Sequence, residues 1–495
     1  MDGRRLLMID AMKHLVALLA LCLATRELSA ATVKDAEAAM AKATAFMQSI
    51  AAEGGYLWKY SEDLKTRAGE GKATETQIWI QPPGTPSMGM VFLRAHEATK
   101  DKLYLNAARG VAHALARGQL ESGGWEYSVD FDPKKFPLCY RRTGKGKLTP
   151  AEAAKRRNIT TFDDDNTQSA LRFLMAYVAA QNNDTEARAA VEYGLAKMIE
   201  AQYPNGAWPQ RYDGKPRNPS DFPVKRAEYP KDYPRIYPKI NYAGHYTFND
   251  NTIHDCIGVM LDAYHRYGKA EHLASAKKAG DFMILAQMPE PQPVWAQQYN
   301  ANMEPAWARA FEPPAITGNE SVGVIRGLIE LYLETGDEKY LKPIPPALAW
   351  YKRSAIAPNT WARYYELQTN KPIYGDRDGK IYYRVEDISE ERQHGYSWKG
   401  TYSVEAARSL YERVTSQGRE AFLKSREPKK RKSSGRRSTD PRVDKIIAAL
   451  DAQGRWLTEG KFEKKVKGLE FDTRIETTVF IANMRTLSDY VEACR

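Results

Sequence analysis

Apolar residues recur at helical spacing along most of the chain from about Thr32 onward. The cleanest series is Ile253, Cys256, Ile257, Met260, Leu261 and Tyr264, whose steps of three and four place it on one face of a helix turned towards a core. Leu171, Leu174, Tyr177 and Val178 repeat the pattern, as do Val322, Ile325, Ile329 and Tyr332. No comparable alternation of apolar and polar positions marks a strand. Polar, helix-stopping turns at Gln181-Asn-Asn-Asp184 and Thr335-Gly-Asp337 join pairs of these helices into hairpins.

The hairpins repeat. Thr161-Phe-Asp-Asp-Asp-Asn-Thr167 opens one helix and Thr247-Phe-Asn-Asp-Asn-Thr252 opens another, and the helices before them end in related loops, Gln119-Leu-Glu-Ser-Gly-Gly-Trp125 and Gln202-Tyr-Pro-Asn-Gly-Ala-Trp208. Degraded copies surround Trp58, Trp295 and Trp361, each followed within a few residues by a tyrosine (Tyr60, Tyr299, Tyr364). Successive tryptophans stand 67, 83, 87 and 66 residues apart. A period of helix, turn, returning helix and long loop predicts an all-α fold, an α/α toroid, partial or complete, with its long loops on one functional face.

At 495 residues, with 43 % hydrophobic, 27 % charged and 11 % aromatic side chains, the chain is an ordinary folded protein and neither disordered, collagenous nor multi-span. Its formal charge of +11 at first points to nucleic acid, but nine basic residues and two acids crowd between Lys424 and Arg442, so the body is only mildly basic and no nucleic-acid partner is expected. Cys22, Cys139, Cys256 and Cys494 form no C-x-x-C pair, which argues against structural zinc. Arg4, Arg5 and Lys13, the apolar run Leu15 to Ala24 and the small residues of Leu28-Ser29-Ala30-Ala31 follow the order of a secretory signal, too short in its apolar part to stay in a membrane. Residues 1–31 are therefore expected to direct a monomer to the periplasm or beyond. Residues 32–415 form the toroid, 416–441 a basic flexible linker, and 442–495 a further helical segment.

Candidate chemistry gathers at the long-loop face. Asp163, Asp164 and Asp165 precede one helix, and Asn249, Asp250 and Asn251 the matching one. Either cluster alone reads as helix capping; two on neighbouring hairpins bring together the hard oxygen donors that Ca²⁺ takes. Trp208, Pro209 and Gln210 lie in the loop beside them, where an aromatic either stacks on a sugar ring or packs against the next hairpin. H-E-x-x-H, G-x-S-x-G, the P-loop and G-x-G-x-x-G are all absent.

The motifs Asn205-Gly-Ala-Trp-Pro-Gln210, Tyr246-Thr-Phe-Asn-Asp-Asn251, Trp295-Ala-Gln-Gln298, Ala308-Arg-Ala-Phe-Glu-Pro-Pro-Ala-Ile-Thr-Gly318 with Glu320-Ser-Val-Gly323, Pro372-Ile-Tyr-Gly-Asp-Arg-Asp-Gly379 and Glu391-Arg-Gln-His-Gly-Tyr396 resemble, in order, those of the family 10 pectate lyases. The resemblance covers roughly Trp79 to Tyr402. It departs at Ala207, where the family pattern has a second glycine, and at residues 213–242, a proline-rich stretch that looks inserted.

That resemblance implies a secreted lyase cleaving de-esterified polygalacturonate by β-elimination, with Ca²⁺ bridging protein carboxylates and the substrate. By position, Arg309 corresponds to the arginine assigned as base; Asp163, with Asp164, and Asp250 to the calcium region; Arg377 and one of Arg384 or Arg392 to uronate-binding arginines. Trp208, Gln210 and Asn251 join the expected substrate-binding set. An arginine base needs its guanidinium depressed, because a free one stays protonated near neutrality, and alkaline activity follows; the other reading of Arg309 is an ion pair with Glu312 or Glu320. Two further functions remain open on the residues: an α/α-toroid glycoside hydrolase using Asp163 and Asp250, and a non-catalytic protein that binds acidic polysaccharide.

Overall fold

The computed structural model describes residues 31–143, 149–215, 217–426, 440–459 and 473–495. The expected leader, apart from its last residue, and the stretch 427–439 of the expected linker lie outside the described residues. Among the described residues no helix is long and apolar enough to cross a membrane.

Helices alternate between an outer and an inner row. The outer row is Val33–Ser49 (α1), Lys102–Gly118 (α3), Thr185–Ala201 (α5), Ala270–Leu285 (α7), Ile344–Ser354 (α9) and Pro441–Ala448 (α12). The inner row is Thr85–Thr99 (α2), Asn166–Ala180 (α4), Thr252–Tyr267 (α6), Glu320–Thr335 (α8), Val404–Gln417 (α10) and Thr477–Cys494 (α13), while Arg419–Arg426 (α11) packs on α10. Neighbours along the inner row touch in the order α13, α2, α4, α6, α8, α10, so the C-terminal helix sits beside the first inner helix. This is an α/α toroid.

Burial follows the apolar stripes: Ile253, Cys256, Ile257 and Met260 of α6 are buried. The predicted hairpin ends form as polar caps. Gly336 closes α8 and Gly268 closes α6, both left-handed, a backbone region that glycine enters without steric cost. Asp184 caps α5 through the Ala187 N–H and also accepts from Tyr177 and His113.

The repeated tryptophans explain the long loops. The indole N–H of Trp125 donates to Leu115 O, Trp208 to Met198 O, Trp295 to Met283 O and Trp361 to Tyr351 O, all at 2.7 to 2.9 Å. Each carbonyl lies in the last turn of the preceding outer helix, where no intrahelical N–H reaches it. Trp456 does the same for Ile446 O at the end of α12, which makes α12 and α13 a further copy, with Gly454 left-handed where the Trp208 loop has Gly206. In the Trp208 loop a Cβ on Gly206 (φ +102°) would lie 2.2 Å from Lys278 O, so only glycine lets the loop pass α7.

Short antiparallel ribbons stitch the repeats together on the loop face. The strand before each inner helix pairs with the strand after the next tryptophan: Gln77–Trp79 with Ser128–Asp130, Thr160–Thr161 with Arg211–Tyr212, Tyr246–Thr247 with Gln298–Tyr299, and Ile316–Thr317 with Tyr364–Tyr365. Thr473–Glu476, before α13, pairs with Lys59–Ser61, after Trp58, and this joins the last repeat to the first. Lys399–Gly400, before α10, pairs instead with Trp361–Ala362 of its own repeat. The ribbon rule breaks there, where the chain runs on towards the basic stretch. With two to four residues apiece, these strands are too short for an alternating pattern to show in the sequence.

Candidate active site

The inner helices α4 and α6 begin with matching turns. In one, Asp164 and Asp165 are left-handed (φ 52° and 55°); in the other, Asp250 and Asn251 are (φ 44° and 62°). Aspartate and asparagine tolerate this region better than other side chains with a Cβ, which accounts for the polar composition of both turns. The two turns pack against each other and direct Asp163, Asp164 and Asp250 together. One oxygen from each lies within 4.8 Å of the others.

Neutral donors hold this triad. Asp163 accepts from Asn249 Nδ2 at 2.8 Å, Gln210 Nε2 at 2.7 Å and the Tyr127 hydroxyl at 2.9 Å. Asp250 accepts from Asn249 Nδ2 at 2.7 Å, and Tyr127 also reaches Asp164 at 3.3 Å. Burial is the largest influence on all three carboxyls and mutual repulsion comes next, so Asp163 and Asp164 are pushed up to about 6 and Asp250 to about 7. Crowded carboxylates that resist ionisation are what a hard cation relieves. A Ca²⁺–oxygen distance of about 2.3–2.6 Å allows ligand oxygens to stand up to about 5 Å apart, so the donor set fits Ca²⁺. Asp165 stands apart: its Oδ1 accepts from Arg172 at 2.7 Å.

Arg309 faces the acids. Its Nε and Nη2 donate to the two oxygens of Glu312 at 2.8 and 2.5 Å, and its backbone N–H adds a third bond at 3.1 Å. Burial works to lower the guanidinium, but the Glu312 pair outweighs it and the net displacement is upward. Of the two partners expected for an ion pair, Glu312 is the one found, and Glu320 pairs with Arg363 at 2.6 Å. Burial by itself does not depress Arg309, because the carboxylate it needs for orientation also stabilises its charge.

Phe311 organises the remaining basic groups. The guanidinium carbons of Arg392, Arg309 and Arg377 lie 4.6, 4.9 and 5.7 Å from its ring centre. Glu391 bridges Arg377, at 2.9 Å, and Arg392, and is held down at about 2 by those hydrogen bonds. The structure thus brings Arg377 and Arg392 to one cluster with Arg309. Arg384 is exposed, 3.8 Å from both Glu386 and Asp387.

Trp208 requires a correction. It is fully buried and its only polar group is spent on Met198 O, so it supports the loop and cannot stack on a sugar. Gln210 is also buried, at 7 % exposure, and its contact is with Asp163; it orients an acid from inside the protein. Asn251 is exposed at the site, with its Oδ1 against Gly323, where a Cβ would lie 1.9 Å away.

Sequence reasoning missed Tyr127, Tyr364, Tyr396 and Arg363. The Tyr364 and Tyr396 hydroxyl oxygens lie 2.9 Å apart, with Tyr396 donating to Glu312 at 2.9 Å and Tyr364 to Gln297. The repeated tyrosine after each tryptophan was the available signal, since Tyr127 and Tyr364 both occupy that place. The inserted stretch lies over this face: Pro234 O accepts from the Trp307 indole at 2.8 Å, and Tyr237 N donates to Gly379 O at 2.8 Å, beside Arg377.

Comparison with known proteins follows the same geography. The family described as pectic acid lyase matches residues 119–360 and 353–406. Among solved structures, a mutant of the family 10 polysaccharide lyase from Cellvibrio cellulosa in complex with trigalacturonic acid is 22 % identical, with 67 % of this chain and 98 % of that one covered and a TM-score of 0.46. The same organism's family 10 polysaccharide lyase without that description gives 22 %, 68 %, 97 % and 0.46. A GH76 α-mannanase from Bacteroides thetaiotaomicron is 8 % identical, over 92 % of this chain and 95 % of that one, with a TM-score of 0.42. No curated protein matches the chain.

Proposed function

The chain belongs to the pectic acid lyase family and is a polysaccharide lyase, and we propose that it is a secreted enzyme that cleaves de-esterified polygalacturonate by Ca²⁺-assisted β-elimination. The observation that carries this reading is an acidic triad, buried at Asp163 and half-buried at Asp164 and Asp250, set beside Arg309 and its arginine cluster. Arg309 is close enough to pull the ionisation of Asp163, Asp164 and Asp250 downward.

Asp163, Asp164 and Asp250 are the residues that would hold Ca²⁺, whose chemistry is to share the uronate carboxylate and stabilise the charge that grows on it as C5 loses its proton. Arg377, which is exposed, binds the uronate carboxylate, for which the guanidinium fork is suited, while Arg392, buried with its fork on Glu391, holds Glu391 and through it Arg377. Glu312 occupies Nε and Nη2 of Arg309, so the edge of the guanidinium left for substrate is Nη1. In its neutral form Arg309 takes the C5 proton there, the C4–O bond breaks, and a C4–C5 double bond forms as the leaving oxygen is protonated by solvent. Because Glu312 favours the charged arginine, the neutral form becomes available only as the medium turns alkaline.

A glycoside hydrolase built on Asp163 and Asp250 is the second reading: carboxylate oxygens within 4.8 Å fall short of the roughly 6.5–9.5 Å of an inverting enzyme but lie near the roughly 5–5.5 Å of a retaining one. The test is ultraviolet absorbance on incubating the mature protein with polygalacturonate at alkaline pH, with Ca²⁺ or chelator. The reading expects a Ca²⁺-dependent rise that Arg309→Ala abolishes. New reducing ends without absorbance would give the site to hydrolysis, and neither signal would reduce it to binding.

A further inference from the structure

Between the acidic triad and the arginine pair lie two buried side-chain amides in series. Asn249 is 2 % exposed and Gln297 3 %. Gln297 Nε2 donates in two directions, to Asn249 Oδ1 at 2.7 Å and to Glu312 Oε1 at 3.0 Å. Its Oε1 accepts from the Tyr364 hydroxyl. Asn249 then donates both ways in turn, to Asp163 Oδ1 at 2.8 Å and to Asp250 Oδ2 at 2.7 Å.

This arrangement has one consistent polarity. The Glu312 end sets it, because that carboxylate is held ionised by Arg309 and an ionised carboxylate only accepts. Turning Gln297 over would set its oxygen against Asn249 Oδ1 and Glu312 Oε1, and its N–H groups against Tyr364. Turning Asn249 over would set its oxygen between two carboxylates. Each amide therefore fixes the other, and a shift of Asp163 or Asp250 is passed through hydrogen bonds to the carboxylate that orients Arg309. The position of Asn249 is informative: in the preceding repeat the matching residue is Asp163 itself. An amide here converts what would be another crowded carboxylate into the donor that starts the relay.

We propose that Gln297 is a positioning residue that couples the acidic triad to the Glu312–Arg309 pair, so that a cation bound by the triad and the orientation of Arg309 depend on each other. The inference rests on the lyase reading for its catalytic meaning, but the coupling itself is a binding property. It acts through Glu312 and need not touch substrate.

The test is a double-substitution cycle on Ca²⁺ binding, measured by calorimetry on the mature protein, with Gln297→Met, Glu312→Gln and both together. Methionine keeps the length and volume of the glutamine and removes its hydrogen bonds. Melting curves and near-ultraviolet dichroism identify variants that retain the parent fold; if Gln297→Met does not, Gln297→Leu replaces it in the cycle. Glu312→Gln is expected to change Ca²⁺ affinity at least threefold when Gln297 is present and to have no effect when it is replaced. Additive effects overturn the coupling, as does a parent protein that binds no Ca²⁺. In parallel, kcat of Gln297→Met on polygalacturonate should fall about 10- to 100-fold, the range for losing a group that orients a metal ligand, while KM stays within twofold. A parent without lyase activity but with a non-additive cycle would sink the proposed function and leave the coupling standing; an active parent with an additive cycle would do the reverse.

Discussion

Asp250→Asn should make the metal-free protein more stable at pH 8, although it removes a residue from the site. Burial first, and the neighbouring Asp163 second, raise the Asp250 carboxyl to about 7. A carboxyl raised on folding is disfavoured as an anion in the native state. Its cost is absent below about pH 4 and fully present above about pH 7, so stability without metal falls as pH climbs between them. Taken at face value, the rise corresponds to roughly 4 kcal/mol at about 1.4 kcal/mol per tenfold. The side chain is 36 % exposed, and solvent screening of such a group reduces the expected gain to about 1–2 kcal/mol. Asparagine can still accept from Asn249 through its own Oδ1, so the turn keeps its hydrogen bond. Urea melts in chelator at pH 8 and pH 4 measure the effect. The variant is expected to be the more stable at pH 8 and equal to the parent at pH 4, and Ca²⁺ should stabilise only the parent. A variant less stable than the parent at pH 8 in chelator would refute the claim that the triad carries stored repulsion.

Three other outcomes follow from the same geometry. Glu312→Gln removes the carboxylate that raises Arg309, so the alkaline limb of the rate profile should move to lower pH if Arg309 is the base; an unmoved limb with a lower plateau would make Arg309 a charge stabiliser instead. Trp208→Ala should cost about 3–5 kcal/mol in denaturant melts, whereas Trp208→Phe, which loses one hydrogen bond worth about 1 kcal/mol, should keep KM for polygalacturonate; a large KM increase in a folded Trp208→Phe would restore a substrate contact. Arg377→Ala should raise that KM about tenfold or more for loss of a charge-assisted contact, and Arg384→Ala should leave it within twofold, with initial rates over a substrate series deciding between them.

Much of the architecture was legible because hairpin periodicity and the tryptophan loops are local. Ile253 to Tyr264 reads as a helix from spacing alone, and Trp125, Trp208, Trp295 and Trp361 recur because each performs one task, capping the last turn of an outer helix. Trp456 belongs to the same series, since Gln453-Gly454-Arg455-Trp456 keeps the left-handed glycine that the Trp208 loop has at Gly206, but it lies beyond the basic stretch and outside the matched motifs. The acidic turns were legible as clusters for a related reason, since left-handed backbone selects aspartate and asparagine. What could not be read was direction. Trp208 and Gln210 sit two residues apart in one loop; one points into the core and the other at Asp163, and no spacing rule separates them. Nor does sequence distance show that Glu312 is the partner of Arg309 while Glu320 belongs to Arg363, or that two amides from different repeats meet between charges. Nor does spacing show that Arg392 packs with Arg377 against Phe311 while Arg384 stands apart beside Glu386 and Asp387.

The central claim is that this site breaks its substrate by elimination. Mass spectrometry of the pieces released from a defined oligogalacturonide tests it most directly. Elimination adds nothing, so the two fragments of each cut should have masses that sum to the parent oligomer, one of them unsaturated, and they should form only when Ca²⁺ is present. Fragments whose masses exceed the parent by one water would show hydrolysis and contradict the account.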